Sequence, residues 1–93
     1  MNEEWRPFKK SKGYYEVSNL GRVRNARTGR IRKIGANQNG TRIIKLAGYL
    51  NRTYSVARLV AETFISEDVR IVRHKGDISD DRVENLSVEE YYD

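Results

Sequence analysis

The sequence contains no cysteine, which excludes both a disulfide framework and a thiolate zinc site and fits a reducing cytoplasm. Its 93 residues must therefore hold a small core by packing alone, so stability is expected to be modest unless a partner adds to it. Proline occurs once, at Pro7, and no proline-rich linker, internal repeat or low-complexity tract divides the chain. One domain over residues 1–93 is expected. Long apolar runs are missing as well. Ile43-Ile44 and Leu59-Val60-Ala61 fall far short of the ~20 residues that cross a bilayer. Glu3 and Glu4 open the chain with no apolar signal region behind them, so the expectation is a soluble cytoplasmic protein with no membrane partner.

Acidic residues are absent from one long stretch. Between Glu16 and Glu62 stand Arg22, Arg24, Arg27, Arg30, Arg32, Lys33, Arg42, Lys45, Arg52 and Arg58, with no Asp or Glu among them. The net charge of +5 thus conceals a division, +11 over residues 1–60 against −6 over residues 61–93. A surface left so unbalanced repels itself, and a polyanion is its natural partner. Double-stranded DNA is the expected one, held by Arg22, Arg24, Arg27, Arg30, Arg32, Lys33, Arg42, Lys45 and Arg52.

The basic half, residues 1–54, reads as short strands between turns. Tyr14–Val17 is β-prone, Ser18-Asn19-Leu20-Gly21 is turn chemistry, and Arg22-Val23-Arg24 alternates, which together predict a hairpin. Residues 30–34 and 41–46 offer two more strands around the loop Asn37-Gln38-Asn39-Gly40, and a short tyrosine-containing crossing lies between Ala47-Gly48 and Asn51-Arg52. Side chains two apart share a face, so Arg22/Arg24 and Arg30/Arg32 are expected to lay a basic strip on a small antiparallel sheet. Trp5, Phe8, Tyr14 and Tyr15 are divided in expectation between base stacking and the core, with at least two in the core.

The second half, residues 55–93, opens on a predicted helix from Val56 to about Ile65. Ser55 is placed to cap it, and Val56, Leu59, Val60, Thr63 and Phe64 share one side. Arg58 and Glu62 are expected to form a surface ion pair on its flank. A strand, Val69–Val72, then leads to His74, the sole histidine. Asp77, Asp80 and Asp81 read as a solvated loop, with Asp80 or Asp81 capping a turn. The acidic end, with Glu84, Glu89, Glu90 and Asp93 beside Tyr91 and Tyr92, reads as a disordered tail.

Three segments occur in order: "WRPFKKSKGYYEVSNLGRVRN", "YSVARLVAETFI" and "VRHKGDISDDRVENL". Together they resemble phage HNH homing endonucleases, including intron-encoded nickases, over nearly the whole chain. The first resembles the motif that precedes the nuclease domain, of the form W, a few residues, G-Y-x-V-S-N-x-G-R-V. The others resemble the V-H-R-L-V-A-x-x-F helix and the D-H-x-D-G-N-x-x-N-N-x-x-x-N-L segment. The resemblance implies an α+β fold, a small antiparallel β-sheet with one packed helix followed by a ββα-metal (HNH-like) segment. It also implies DNA cleavage in which a histidine acts as general base beside a Mg²⁺ or Mn²⁺.

Carried over by position, His74 falls on the general base and Asn85 on the asparagine that braces the loop. The metal-binding carboxylate before the histidine is replaced by Arg73, and the last signature position falls just beyond Asp93, where the sequence ends. The family's D-G is reversed to Gly76-Asp77, its N-N pair is Asp80-Asp81, and the helix histidine is Ala57. Asp77 is the remaining candidate metal ligand, with Asp80 or Asp81 beside it if the loop rearranges. The expected function is a phage-encoded DNA-binding protein on a degenerate HNH scaffold, without metal-dependent cleavage. One alternative is a minimal nickase using His74 and Mg²⁺ or Mn²⁺ in a rearranged site. The other is an inhibitor or regulator that binds a host protein or nucleoprotein complex.

Overall fold

The computed structural model describes residues 2–46 and 51–91, so the expected crossing through Ala47-Gly48 lies largely outside the described residues. Trp5–Pro7 (β1), Tyr15–Ser18 (β2) and Val23–Asn25 (β3) form an antiparallel sheet in the order β1-β2-β3. The β2–β3 hairpin closes through the Ser-Asn-Leu-Gly turn because Ser18, fully buried, uses its hydroxyl to accept from Leu20 N and Arg22 N. Asn19 ties the same turn to the chain start, its Oδ1 accepting from Glu4 N at 2.7 Å. Alternation does the rest, turning Tyr15, Val17 and Val23 inward.

Gly35–Ala36 (β4), Arg42–Leu46 (β5) and Arg52–Ser55 (β6) form a second antiparallel sheet in the order β4-β5-β6. The chain passes from β6 straight into the helix Val56–Phe64 (α1), whose first turn is capped by Ser55 Oγ accepting from Arg58 N at 3.2 Å. Val69–His74 (β7) and Leu86–Glu90 (β8) then make an antiparallel pair with Val72 opposite Val88 and His74 opposite Leu86. Helix α1 contacts β1, β2, β5, β6, β7 and β8, so its buried Val56, Leu59, Val60 and Ala61 gather Phe8, Val17, Leu46, Tyr54, Val69 and Leu86 into one core. Truncating Leu59, with no exposed surface, would cost about 2–5 kcal/mol by leaving a cavity.

Four expectations are corrected. The basic half builds two sheets rather than one. Residues 30–34 are not a strand: only Ile31 bridges to Arg24, and the segment then leaves the edge of β3 to pair with β5 through Gly35–Ala36. Crossing between two edges, it cannot continue a ladder along either. Glu62 is buried instead of lying on the surface. Arg58 Nε sits 2.8 Å from it and Lys10 Nζ 2.5 Å, while Arg58 also donates to Val69 O at 2.6 Å. The expected disordered tail is the strand β8 from Leu86 to Glu90, held because Leu86 and Val88 pack inward, while Tyr92 and Asp93 lie outside the described residues.

Candidate nucleic-acid surface and the His74 centre

Strand β7 ends on His74, whose Nε2 lies 2.6 Å from Asp81 Oδ1. The other oxygen of Asp81 accepts from Arg42 Nη1 at 3.2 Å, and Arg42 Nη2 donates to Gly21 O at 3.1 Å. Asp81 is 2% exposed, so this carboxylate is desolvated and compensated by its two partners rather than by water. Gly21 sits against the same pair with φ of +85°. A Cβ there would come within 3.3 Å of Arg42 Nη1 and of Asp81 backbone and side-chain atoms, so both conformation and space require glycine. The hairpin turn, β5 and the loop after His74 thus meet at a single ion pair. Asp81 is neither a solvated residue nor a turn cap, which corrects the sequence reading.

Asn85 organises the loop between β7 and β8. Its Oδ1 accepts from Gly76 N at 3.0 Å, its Nδ2 donates to Asp77 O at 3.0 Å and to Asp80 O at 2.8 Å, and its backbone carbonyl accepts from Lys75 N at 2.8 Å. Within that loop, Asp77 Oδ1 accepts from Ser79 N and Ser79 Oγ, both at 2.8 Å, and these bonds hold its carboxyl below the usual range. Asp80 pairs with the Arg82 guanidinium at 2.9 and 2.7 Å, which lowers its pKa to about 2. Arg73 occupies the position before the histidine and pairs with Glu89 at 2.6 Å.

A hard divalent cation, which the resemblance implies, needs several oxygens converging on one point. Here Asp77 is turned onto Ser79, Asp80 onto Arg82, and Asp81 is enclosed between His74 and Arg42, while the residue before the histidine is a cation paired with Glu89. Among the described residues no group of three or more His, Asp or Glu side chains is placed to hold a metal ion. The donor set does not fit Mg²⁺ or Mn²⁺ in this arrangement.

The nine basic candidates divide by what they touch. Arg22 is paired with Glu3 at 2.8 and 2.5 Å and Arg24 with Glu16 at 2.7 Å, and their guanidinium carbons lie 5.5 and 4.2 Å from the centre of the Trp5 ring. Arg22 also holds the Glu3 carboxyl below its ordinary range. Arg32 donates to Tyr15 Oη at 3.0 Å and to Lys45 O at 3.1 Å, and Arg42 serves Asp81. By contrast Arg27, Arg30, Lys33 and Lys45 are exposed and have no carboxylate partner among the described residues. Arg52 is exposed too, its guanidinium 4.8 Å from the Tyr54 ring centre. The aromatic residues separate as well: Phe8 and Tyr15 are in the core, Trp5 is half-buried beneath two arginines, and Tyr14 is 61% exposed.

The NUMOD4 motif profile matches residues 3–47, which include the Ser-Asn-Leu-Gly turn and β5. Among solved structures, one described as "DNA binding and cleavage by the HNH homing endonuclease I-HmuI" superposes on 94% of this chain with a TM-score of 0.79 and 32% sequence identity. The chain spans 52% of the length of that protein. No curated protein sequence matches significantly. Among the described residues, no helix is long and apolar enough to cross a membrane. With its small antiparallel sheets around one helix, its NUMOD4 motif and its likeness to I-HmuI, the chain has an HNH homing-endonuclease-like fold.

Proposed function

We propose that the protein binds double-stranded DNA through Arg27, Arg30, Lys33, Lys45 and Arg52 and does not cleave it by a metal-dependent route. The observation that carries this reading is the division among the cations. Arg22, Arg24, Arg32 and Arg42 are consumed by internal partners, whereas these five present charge to solvent from a stretch that holds no acid. Phosphate neutralisation by such groups releases counterions, so affinity falls linearly with salt on logarithmic axes, by ~0.9 per phosphate contacted. Fluorescence anisotropy on a labelled duplex from 50 to 300 mM salt tests it: a steep slope supports the reading, and a flat one defeats it. The solved neighbour is described as binding and cleaving DNA, which supports DNA as the polyanion.

A second reading is favoured by one contact. The 2.6 Å approach of Asp81 to His74 fixes one imidazole nitrogen and orients the ring, as a general base requires. In that reading His74 takes a proton from water and Asn85 braces the loop, and a cation would be held only if the loop rearranged and freed Asp77 from Ser79. It predicts plasmid nicking with Mg²⁺ or Mn²⁺ that His74→Ala abolishes. Absence of nicking across both metals by a folded, DNA-binding protein supports the binding-only reading.

A further inference from the structure

Tyr14 is the member of the aromatic set used neither by the core nor by a stacked arginine. Its ring is 61% exposed, yet its backbone is fixed on both sides: the N–H donates to Ser11 O at 3.1 Å and the carbonyl accepts from Ala26 N at 3.0 Å. Together with Lys12, Gly13, Asn25 and Arg27 it lines an open cleft of about 270 Å³. The opposite wall is equally well held, because Asn25 Oδ1 accepts from Arg27 N at 2.9 Å and Thr28 N at 3.0 Å, fixing the turn that carries Arg27. Among the described residues, no acidic side chain lines the cleft.

A single exposed aromatic is ordinary and needs no explanation. A rigidly mounted one in a concave site with two cationic neighbours is a stacking platform, because the backbone entropy of forming it has been lost on folding. The volume decides what fits. Sites that enclose a whole small ligand run from roughly 300 to 1,000 Å³, so this cleft suits one planar unit of a longer molecule. Paired bases inside a duplex have both faces covered by their neighbours, and only an unpaired or terminal base has a face to offer.

We propose that this cleft receives one unpaired base of a DNA strand, stacked on the Tyr14 ring, with an adjoining phosphate held by Arg27. The proposal rests on the DNA-binding reading above and adds a preference for gapped or open DNA. The test compares a labelled duplex with the same duplex carrying a short single-stranded gap, using the wild-type chain, Tyr14→Phe and Tyr14→Ala. Because the ring is exposed, thermal melting should show all three equally folded. The expected result is that wild type and Tyr14→Phe bind the gapped DNA more tightly, and that Tyr14→Ala loses about 5- to 100-fold on it while its affinity for the intact duplex is unchanged. Equal losses on both DNAs, no loss on either, or no wild-type preference would overturn the cleft and leave duplex binding standing. Failure of wild type to bind either DNA at low salt would overturn both.

Discussion

His74 and Asp81 are in hydrogen-bond contact at 2.6 Å, and the second oxygen of Asp81 reaches Arg42, a residue 39 positions away in sequence. A carboxylate so placed joins the two motif-bearing halves of the chain. Removing it leaves a guanidinium and an imidazole facing each other with nothing between them.

Asp81→Ala should therefore cost about 1–3 kcal/mol, the usual penalty for leaving hydrogen-bonding partners unsatisfied, because the Arg42 left behind is itself only partly buried. In a domain of this size that is a large fraction of the total stability, and urea denaturation should show an early midpoint. Asp77→Ala, on an exposed carboxylate of the same loop that loses only its bonds to Ser79, should move the midpoint much less. Equal effects of the two would mean that the Asp81 pairing is energetically idle.

The division among the arginines predicts two kinds of variant. Arg30→Ala or Lys45→Ala should lower the salt slope of DNA binding by ~0.9 each with melting unchanged. Arg24→Ala should act mainly on stability, since it removes the Glu16 ion pair and the contact over Trp5. Parallel salt titrations and thermal melts separate the two classes.

Asn85 offers a sharper comparison than deletion. Asn85→Asp keeps the acceptor that meets Gly76 N but turns a donor into an oxygen facing the carbonyls of Asp77 and Asp80. It should be at least as destabilising as Asn85→Ala, by about 1–3 kcal/mol, and should expose the 75–82 loop to proteolysis. Wild-type resistance in Asn85→Asp would show that the two carbonyls do not depend on the amide.

Among the described residues, the carboxyls of Glu3, Asp77 and Asp80 titrate low. Each is depressed in the folded state, so its contribution is present above the unfolded pKa of roughly 4 and is lost as pH falls through the folded value. For Asp80 that value is about 2. Stability should decline on acidification below about pH 4, and side-chain NMR should place Asp80 near 2 in wild type and part of the way back toward the ordinary aspartate value in Arg82→Gln, which loses the guanidinium but keeps the backbone N–H donated to Asp80. An unmoved Asp80 would exclude the guanidinium as the cause.

The parts legible in the sequence were those set by neighbours along the chain. Ser55 capping α1, the apolar spacing of Val56, Leu59 and Val60, and the Ser18–Gly21 turn all depend on residues a few positions apart. Residues 30–34 misled because the β-branched Ile31 and Ile34 report a preference for extended chain and say nothing about which edge is near. Burial of Asp81 and Glu62 was hidden for a related reason. Their partners Arg42 and Lys10 are brought in by tertiary packing, and an aspartate in a polar loop carries no local mark of it. The nine candidate cations were named by charge alone, and only the pairing with Glu3, Glu16, Tyr15 and Asp81 divides them.

Trp5, lying under Arg22 and Arg24, is the sole tryptophan. Its emission is a built-in optical probe of the first sheet, while the β7–β8 hairpin holds no indole and is silent at the same wavelength. Unfolding followed by tryptophan fluorescence and by far-ultraviolet circular dichroism therefore reports on different regions of the molecule. Coincidence of the two curves would establish that the motif-bearing halves melt as one cooperative unit.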